Sequence, residues 1–148
     1  DVVASVGVAT TSGLMAALRG RFDEKTAEMR RGEAEIAYTG SQYSGSLHYA
    51  YIQAQPGYGS AVDRQEVGVK AGVEFNDNWR MFGSTTYDIE NDFFASKSLG
   101  VGYDDSCTAL TFTVAETRTT ATSEPKRSIG FNLSFRTLGD FGSAQSVE

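Results

Sequence analysis

The stretch Glu66 to Phe75, EVGVKAGVEF, decides the reading of this chain. Val67, Val69, Ala71, Val73 and Phe75 fall on one side of a two-residue repeat. Glu66, Gly68, Lys70, Gly72 and Glu74 fall on the other. A helix, with its repeat of 3.6, would mix the two sets. The Val content and the interior glycines also favour a strand. The same alternation recurs along the chain. It runs through Leu14, Ala16, Leu18 and Phe22; Ala34, Ile36 and Tyr38; Tyr43, Leu47, Tyr49 and Tyr51; and Trp79, Met81, Thr85 and Tyr87. It continues in Leu99, Val101 and Tyr103, in Leu110, Phe112 and Val114, and in Ile129, Phe131, Leu133 and Phe135. Val2 to Val8 adds a ninth candidate strand.

At ~3.3 Å per residue and a tilt near 45°, strands of about ten residues climb roughly 20–25 Å, the apolar height of an outer-membrane barrel. The connections alternate in length. Those at 10–12, 39–42, 76–78 and 104–106 are short, whereas those near 23–27, 55–64, 88–92 and 118–126 are generally longer. Pro56, Gly57 and Gly59 make the second long connection the clearest loop. Barrels keep short turns on the periplasmic side and longer loops outside. The expected fold is therefore all-β: antiparallel transmembrane β-barrel strands in the bacterial outer membrane, over residues 1–138. Residues 139–148, rich in Gly and Ser, read as a polar C-terminal extension.

Composition narrows the function classes. The 148 residues carry a net charge of −6, with 40% hydrophobic residues and 16 Gly against 2 Pro. No apolar run approaches the ~20 residues of a membrane helix, which leaves strand-built spans open. Basic residues are scattered apart from the pairs Arg30–Arg31 and Lys126–Arg127, with no concentrated patch, so a nucleic-acid partner is not expected. No signal peptide precedes Asp1, so the chain reads as processed or as part of a longer protein. Nine strands is an odd number for a single-chain barrel, and an open sheet in lipid leaves edge groups unpaired. Either the first strand is misread, or the chain is part of a larger barrel; the absence of a lead-in segment favours the latter.

No catalytic set is visible, so no enzyme and no cofactor are expected. His48 stands alone in a strand without a second ligand and reads as a lumen or sheet residue. Asp104 and Asp105 read as a turn, and no metal is expected. Tyr38 and Tyr43 flank one short turn, Phe75 and Trp79 flank another, Tyr103 ends its strand, and Tyr87 closes its own at the opposite edge. These six read as membrane-interface aromatics. Cys107 is the only cysteine, leaving two readings open: a free small hydrophobe, or half of a bridge to another chain or domain.

Residues 87–118, YDIENDFFASKSLGVGYDDSCTALTFTVAETR, resemble the C-terminal region of the lipopolysaccharide-assembly family LptD, in its alphaproteobacterial form. The turn and strand from Asn76 to Asp88 and the motif Arg136-Thr137-Leu138-Gly139 are similar too. Weaker similarity reaches back through residues 49–52 to 21–36. The resemblance implies a large barrel that delivers lipopolysaccharide to the outer leaflet through a lateral gate. It also implies an LptE-like plug lipoprotein, contact with outer-membrane lipid, and a periplasmic bridge protein that docks on an N-terminal domain lying outside this chain. Arg127 to Thr137 would be the last strand, with Ile129, Gly130, Phe131, Asn132 and Leu133 at the gate. Cys107 would bond to a cysteine outside this chain, in the periplasmic domain; Ser106 stands where many family members have a second cysteine. Two rivals stand beside this expectation: a small self-contained outer-membrane barrel with a structural or adhesive role, and a soluble β-sandwich used for binding.

Overall fold

A computed structural model describes residues 2–54, 62–135 and, as backbone, 139–147. The loop residues Pro56, Gly57 and Gly59 and the motif residues Arg136, Thr137 and Leu138 lie outside the described residues. Ten strands follow one another: β1 (Val2–Ala9), β2 (Leu14–Phe22), β3 (Met29–Thr39), β4 (Tyr43–Ile52), β5 (Arg64–Glu74), β6 (Trp79–Asp88), β7 (Phe93–Asp104), β8 (Thr108–Thr117), β9 (Lys126–Phe135) and β10 (Gly139–Val147). They form one sheet in sequence order, each strand antiparallel to the next.

The turns close for local reasons. Asn76 Oδ1 accepts the N–H groups of Asn78 and Trp79 at 2.9 and 3.0 Å, so the β5–β6 reversal is held by its own side chain. Asp105 does the same between β7 and β8, accepting from Cys107 and Thr108 at 2.8 and 2.7 Å. At the opposite end, Asp23 accepts from Lys25 and Thr26 at 2.9 and 3.2 Å. Register slips once between Arg21 and Phe22 and once between Thr86 and Tyr87, both near that opposite, loop end.

The topology overturns the closed barrel. Closure needs a ladder between the first and last strands. Among the described residues β1 pairs only with β2 and β10 only with β9, so the sheet they form is open at both edges. The reading of this chain as a multi-pass transmembrane barrel in the outer membrane falls with that, as does the self-contained barrel with a structural or adhesive role. The lateral gate falls for a second reason. Arg127 to Phe135 is not a terminal strand, because β9 is paired on both sides. Residues 139–147, read as a polar extension, form the ladder with β9. A β-sandwich is not formed either, since the described strands make a single layer.

A single layer builds almost no core. Among the described residues the one buried apolar side chain is Phe93, with Asp88 buried beside it at the loop end. The accessible surface is 10510 Å², against roughly 7,400 Å² for a compact monomer of this mass. The ladder hydrogen bonds set the shape, and most of the apolar surface is left facing outward.

Candidate functional site

The functional candidate is the sheet itself, because its two faces differ in chemistry. Cross-strand register carries the apolar positions from one strand to the next. Leu47 lies opposite Val69, Leu99 opposite Val114, Val101 opposite Phe112, and Phe112 opposite Phe131. On the side of β1, Val6 lies opposite Leu18 and Ala16 opposite Ile36. Local alternation thus becomes one continuous apolar face through register. It is uncovered: Val6 is 67% exposed, Leu99 56% and Phe131 46%. Towards the loop end this face becomes polar. Lys97 lies opposite Glu116, and Arg127 pairs with Glu116 at 3.2 Å. The Lys97 ammonium also sits 4.3 Å from the centre of the Phe94 ring.

The other face carries charge and hydroxyls, apart from a few apolar residues such as Val3 and Met15. The hydroxyls of Ser84 and Ser98 meet at 2.7 Å. Two aromatic rings lie flat against glycine on neighbouring strands. A Cβ at Gly68 would fall 1.9 Å from His48 Cε1, and one at Gly100 would fall 2.4 Å from the Phe82 ring. His48, read from the sequence as a lumen or sheet residue, is thus a packing element that requires glycine across the ladder. Ion pairs concentrate toward the loop end. Arg31 Nε donates to Glu33 at 2.8 Å, Arg19 approaches the same carboxylate at 3.6 Å, and Arg64 Nε donates to Glu66 at 2.7 Å.

The aromatic set divides as its sequence positions imply. Tyr38, Tyr43, Phe75, Trp79 and Tyr103 gather at the short-turn end, and Tyr87 stands at the loop end. Trp79 and Tyr103 pack with ring centres 5.0 Å apart, and Tyr87 and Phe94 with centres 4.9 Å apart. The Tyr103 hydroxyl donates to Asp105 at 3.1 Å, which raises its pKa above the usual tyrosine value; the Tyr87–Asp92 hydrogen bond does the same. Cys107 is an exposed free thiol in the β7–β8 turn at the short-turn end, its Sγ 3.7 Å from Ser106 Oγ. Ile129, Phe131 and Leu133 lie on the apolar face opposite Val114, Phe112 and Leu110. Gly130 and Asn132 lie on the polar face opposite Thr113 and Thr111. Among the described residues, no three His, Cys, Asp or Glu side chains come together as a metal site.

The sequence reading missed two features: the ring-over-glycine packing, and an arginine group formed by Arg19, Arg21 and Arg31. Both depend on which residues stand opposite each other. The only local trace was the clustering of basic residues on either side of the 23–28 loop.

Comparison with known proteins places the similarity. The family model described as LPS transport system D (LptD) matches residues 1–79, more than half of the chain. The LPS-assembly protein LptD of Aeromonas salmonicida is 21% identical over 130 residues, covering 82% of this chain and 16% of that protein. LptD of Aeromonas hydrophila is 18% identical over 130 residues, with the same coverage. The chain thus spans 16% of the length of these curated relatives. No solved structure matches. The family model falls on the first half of the chain, not on the 87–118 stretch that suggested a C-terminal barrel of alphaproteobacterial type, so that finer assignment is withdrawn. With the match extending over residues 1–79, the chain belongs to the LptD, or LPS transport system D, family.

Proposed function

We propose that this chain is a non-catalytic, two-faced sheet of the lipopolysaccharide pathway, with its apolar face packed against acyl chains and its polar face turned to hydrophilic groups. One observation carries the reading. Side chains such as Leu18, Ile36, Leu47, Leu99, Phe112 and Phe131 share one face and are left 45–58% exposed in a sheet without a core. A folded chain must offset its conformational entropy by burying apolar surface. Covering each half-exposed side chain of this face would contribute about 1 kcal/mol. The relatives' printed role in LPS assembly supplies an amphiphile with acyl chains, and membership of a transport family is in keeping with a role other than catalysis.

The finer partners follow the same reading. Lipopolysaccharide and membrane lipid would meet the apolar face, and the aromatic group at the short-turn end would lie where acyl chains give way to head groups. An LptE-like lipoprotein and a periplasmic bridge protein would engage the whole protein, of which this chain is a part. Cys107, exposed in its turn, would bond to a cysteine elsewhere in that protein, in an oxidising compartment.

The test is photo-crosslinking in the full-length protein in cells. A crosslinking residue at Leu47, Leu99 or Phe112 is expected to yield lipid A adducts, and one at Ser46, Ser98 or Thr113 is not. Apolar-face positions that capture only polypeptide would refute the reading.

A further inference from the structure

On the polar face at the loop end, four side chains form a square on two adjacent strands. Arg19 stands opposite Glu33, and Arg21 stands directly opposite Arg31. Like charges directly opposite in an antiparallel pair repel. Among the described residues, those directly opposite on the flanking strands are not carboxylates. Val3 and Ser5 lie beyond Arg21 and Arg19, and Ile52 and Ala50 lie beyond Arg31 and Glu33. Glu33 is therefore shared: Arg31 holds it at 2.8 Å and Arg19 reaches it at 3.6 Å. Arg21 has contacts of its own and still lines the same hollow. That hollow has a volume of about 300 Å³ and is walled by Val3, Arg19, Gly20, Arg21, Arg31 and Glu33.

We infer that this hollow is a binding site for a phosphate-bearing anion, of the size of a diphosphate or a phosphorylated sugar. Guanidinium groups present paired donors in a planar fork that matches phosphate oxygens. Arg19 and Arg31 keep 68% and 54% of their side-chain surface open, so both have donors to offer beyond Glu33. Glu33 holds the fork in place while the site is empty and competes with the incoming anion. The site lies on the face opposite the apolar one and does not depend on acyl chains packing there.

The test uses the full-length protein in neutral detergent and two probes: inorganic pyrophosphate, and bisphosphorylated lipid A dispersed in the same detergent. The double variant R19Q/R31Q is expected to weaken pyrophosphate binding roughly tenfold or more, the loss of at least one charge-assisted contact. E33Q, which removes the competing carboxylate, should tighten it. K70Q/R80Q, which removes the same two positive charges elsewhere on the same face, should leave it unchanged. Loss with both probes supports a site that takes the phosphate group alone. Loss confined to lipid A supports one that needs the lipid head group. Equal effects of R19Q/R31Q and K70Q/R80Q, or no effect of R19Q/R31Q and E33Q on either probe, would overturn the site. Lipid A that still binds R19Q/R31Q through its acyl chains would leave the apolar-face reading standing.

Discussion

Replacing Gly68 with alanine should destabilise the sheet when His48 is present and stabilise it when His48 is absent. In the native packing the imidazole lies on the Gly68 backbone, with Cε1, Nε2 and Nδ1 at 1.9, 2.4 and 2.7 Å from where a Cβ would sit. The ring must leave, and overpacking of this kind costs about 1–3 kcal/mol. Alanine also removes the entropic penalty of glycine in a strand, a gain of roughly 0.5–1 kcal/mol. The net expectation is a loss of up to about 2.5 kcal/mol in the native background. In the His48→Ala background only the gain remains. The coupling, near the full overpacking cost, would be read from a double-mutant cycle. The assay is denaturant unfolding in detergent, which covers the apolar face. It would follow the fluorescence of Trp79, the single tryptophan, which begins the strand next to β5. If Gly68→Ala has the same sign and size in both backgrounds, the ring-over-glycine argument is wrong.

Three further outcomes are expected. Asp23 is held below the usual carboxylate range, first by the backbone N–H groups of Lys25 and Thr26 and then by Arg30. Its folded-state pKa is depressed, so its contribution is complete above the ordinary value of 3.8 and is lost as pH falls through that value toward the lower folded one. Amide exchange at Lys25, compared between the native protein and Asp23→Asn, should differ at neutral pH and converge in acid. Gly13 adopts φ +88°, and a Cβ there would fall 2.1 Å from the Thr39 carbonyl oxygen. Gly13→Ala should therefore cost about 1–3 kcal/mol in the same unfolding assay. The Arg127–Glu116 pair at 3.2 Å lies on an exposed surface, with Arg127 67% open. A double-mutant cycle should return a coupling of only ~0.2–1 kcal/mol, falling with added salt.

Much of the candidate site was legible residue by residue. The alternation through Val67, Val69 and Val73, or through Ile129, Phe131 and Leu133, assigns each side chain to a face before any partner strand is known. The turn chemistry of Asn76 and Asp105 was readable because it spans only three residues. The strand Gly139–Val147 was not legible. Its GDFGSAQSV carries too few apolar residues to show a period, and it is defined by the ladder that β9 offers it. The arginine square escaped because Arg21 and Arg31 are ten positions apart and meet only through pairing.

The sequence by itself determined that the chain would form strands and that these would have one apolar and one polar side. Both follow from the two-residue repeat of an extended backbone, which is a local property. Only the tertiary structure decided whether the sheet closes, which strand lies at an edge, and which charges converge. Those depend on register and pairing between distant segments. The same strands, with the same alternation, can be joined into a ring or left open without changing a residue. Here β1 and β10 stay apart, and the fold presents an open, two-faced sheet.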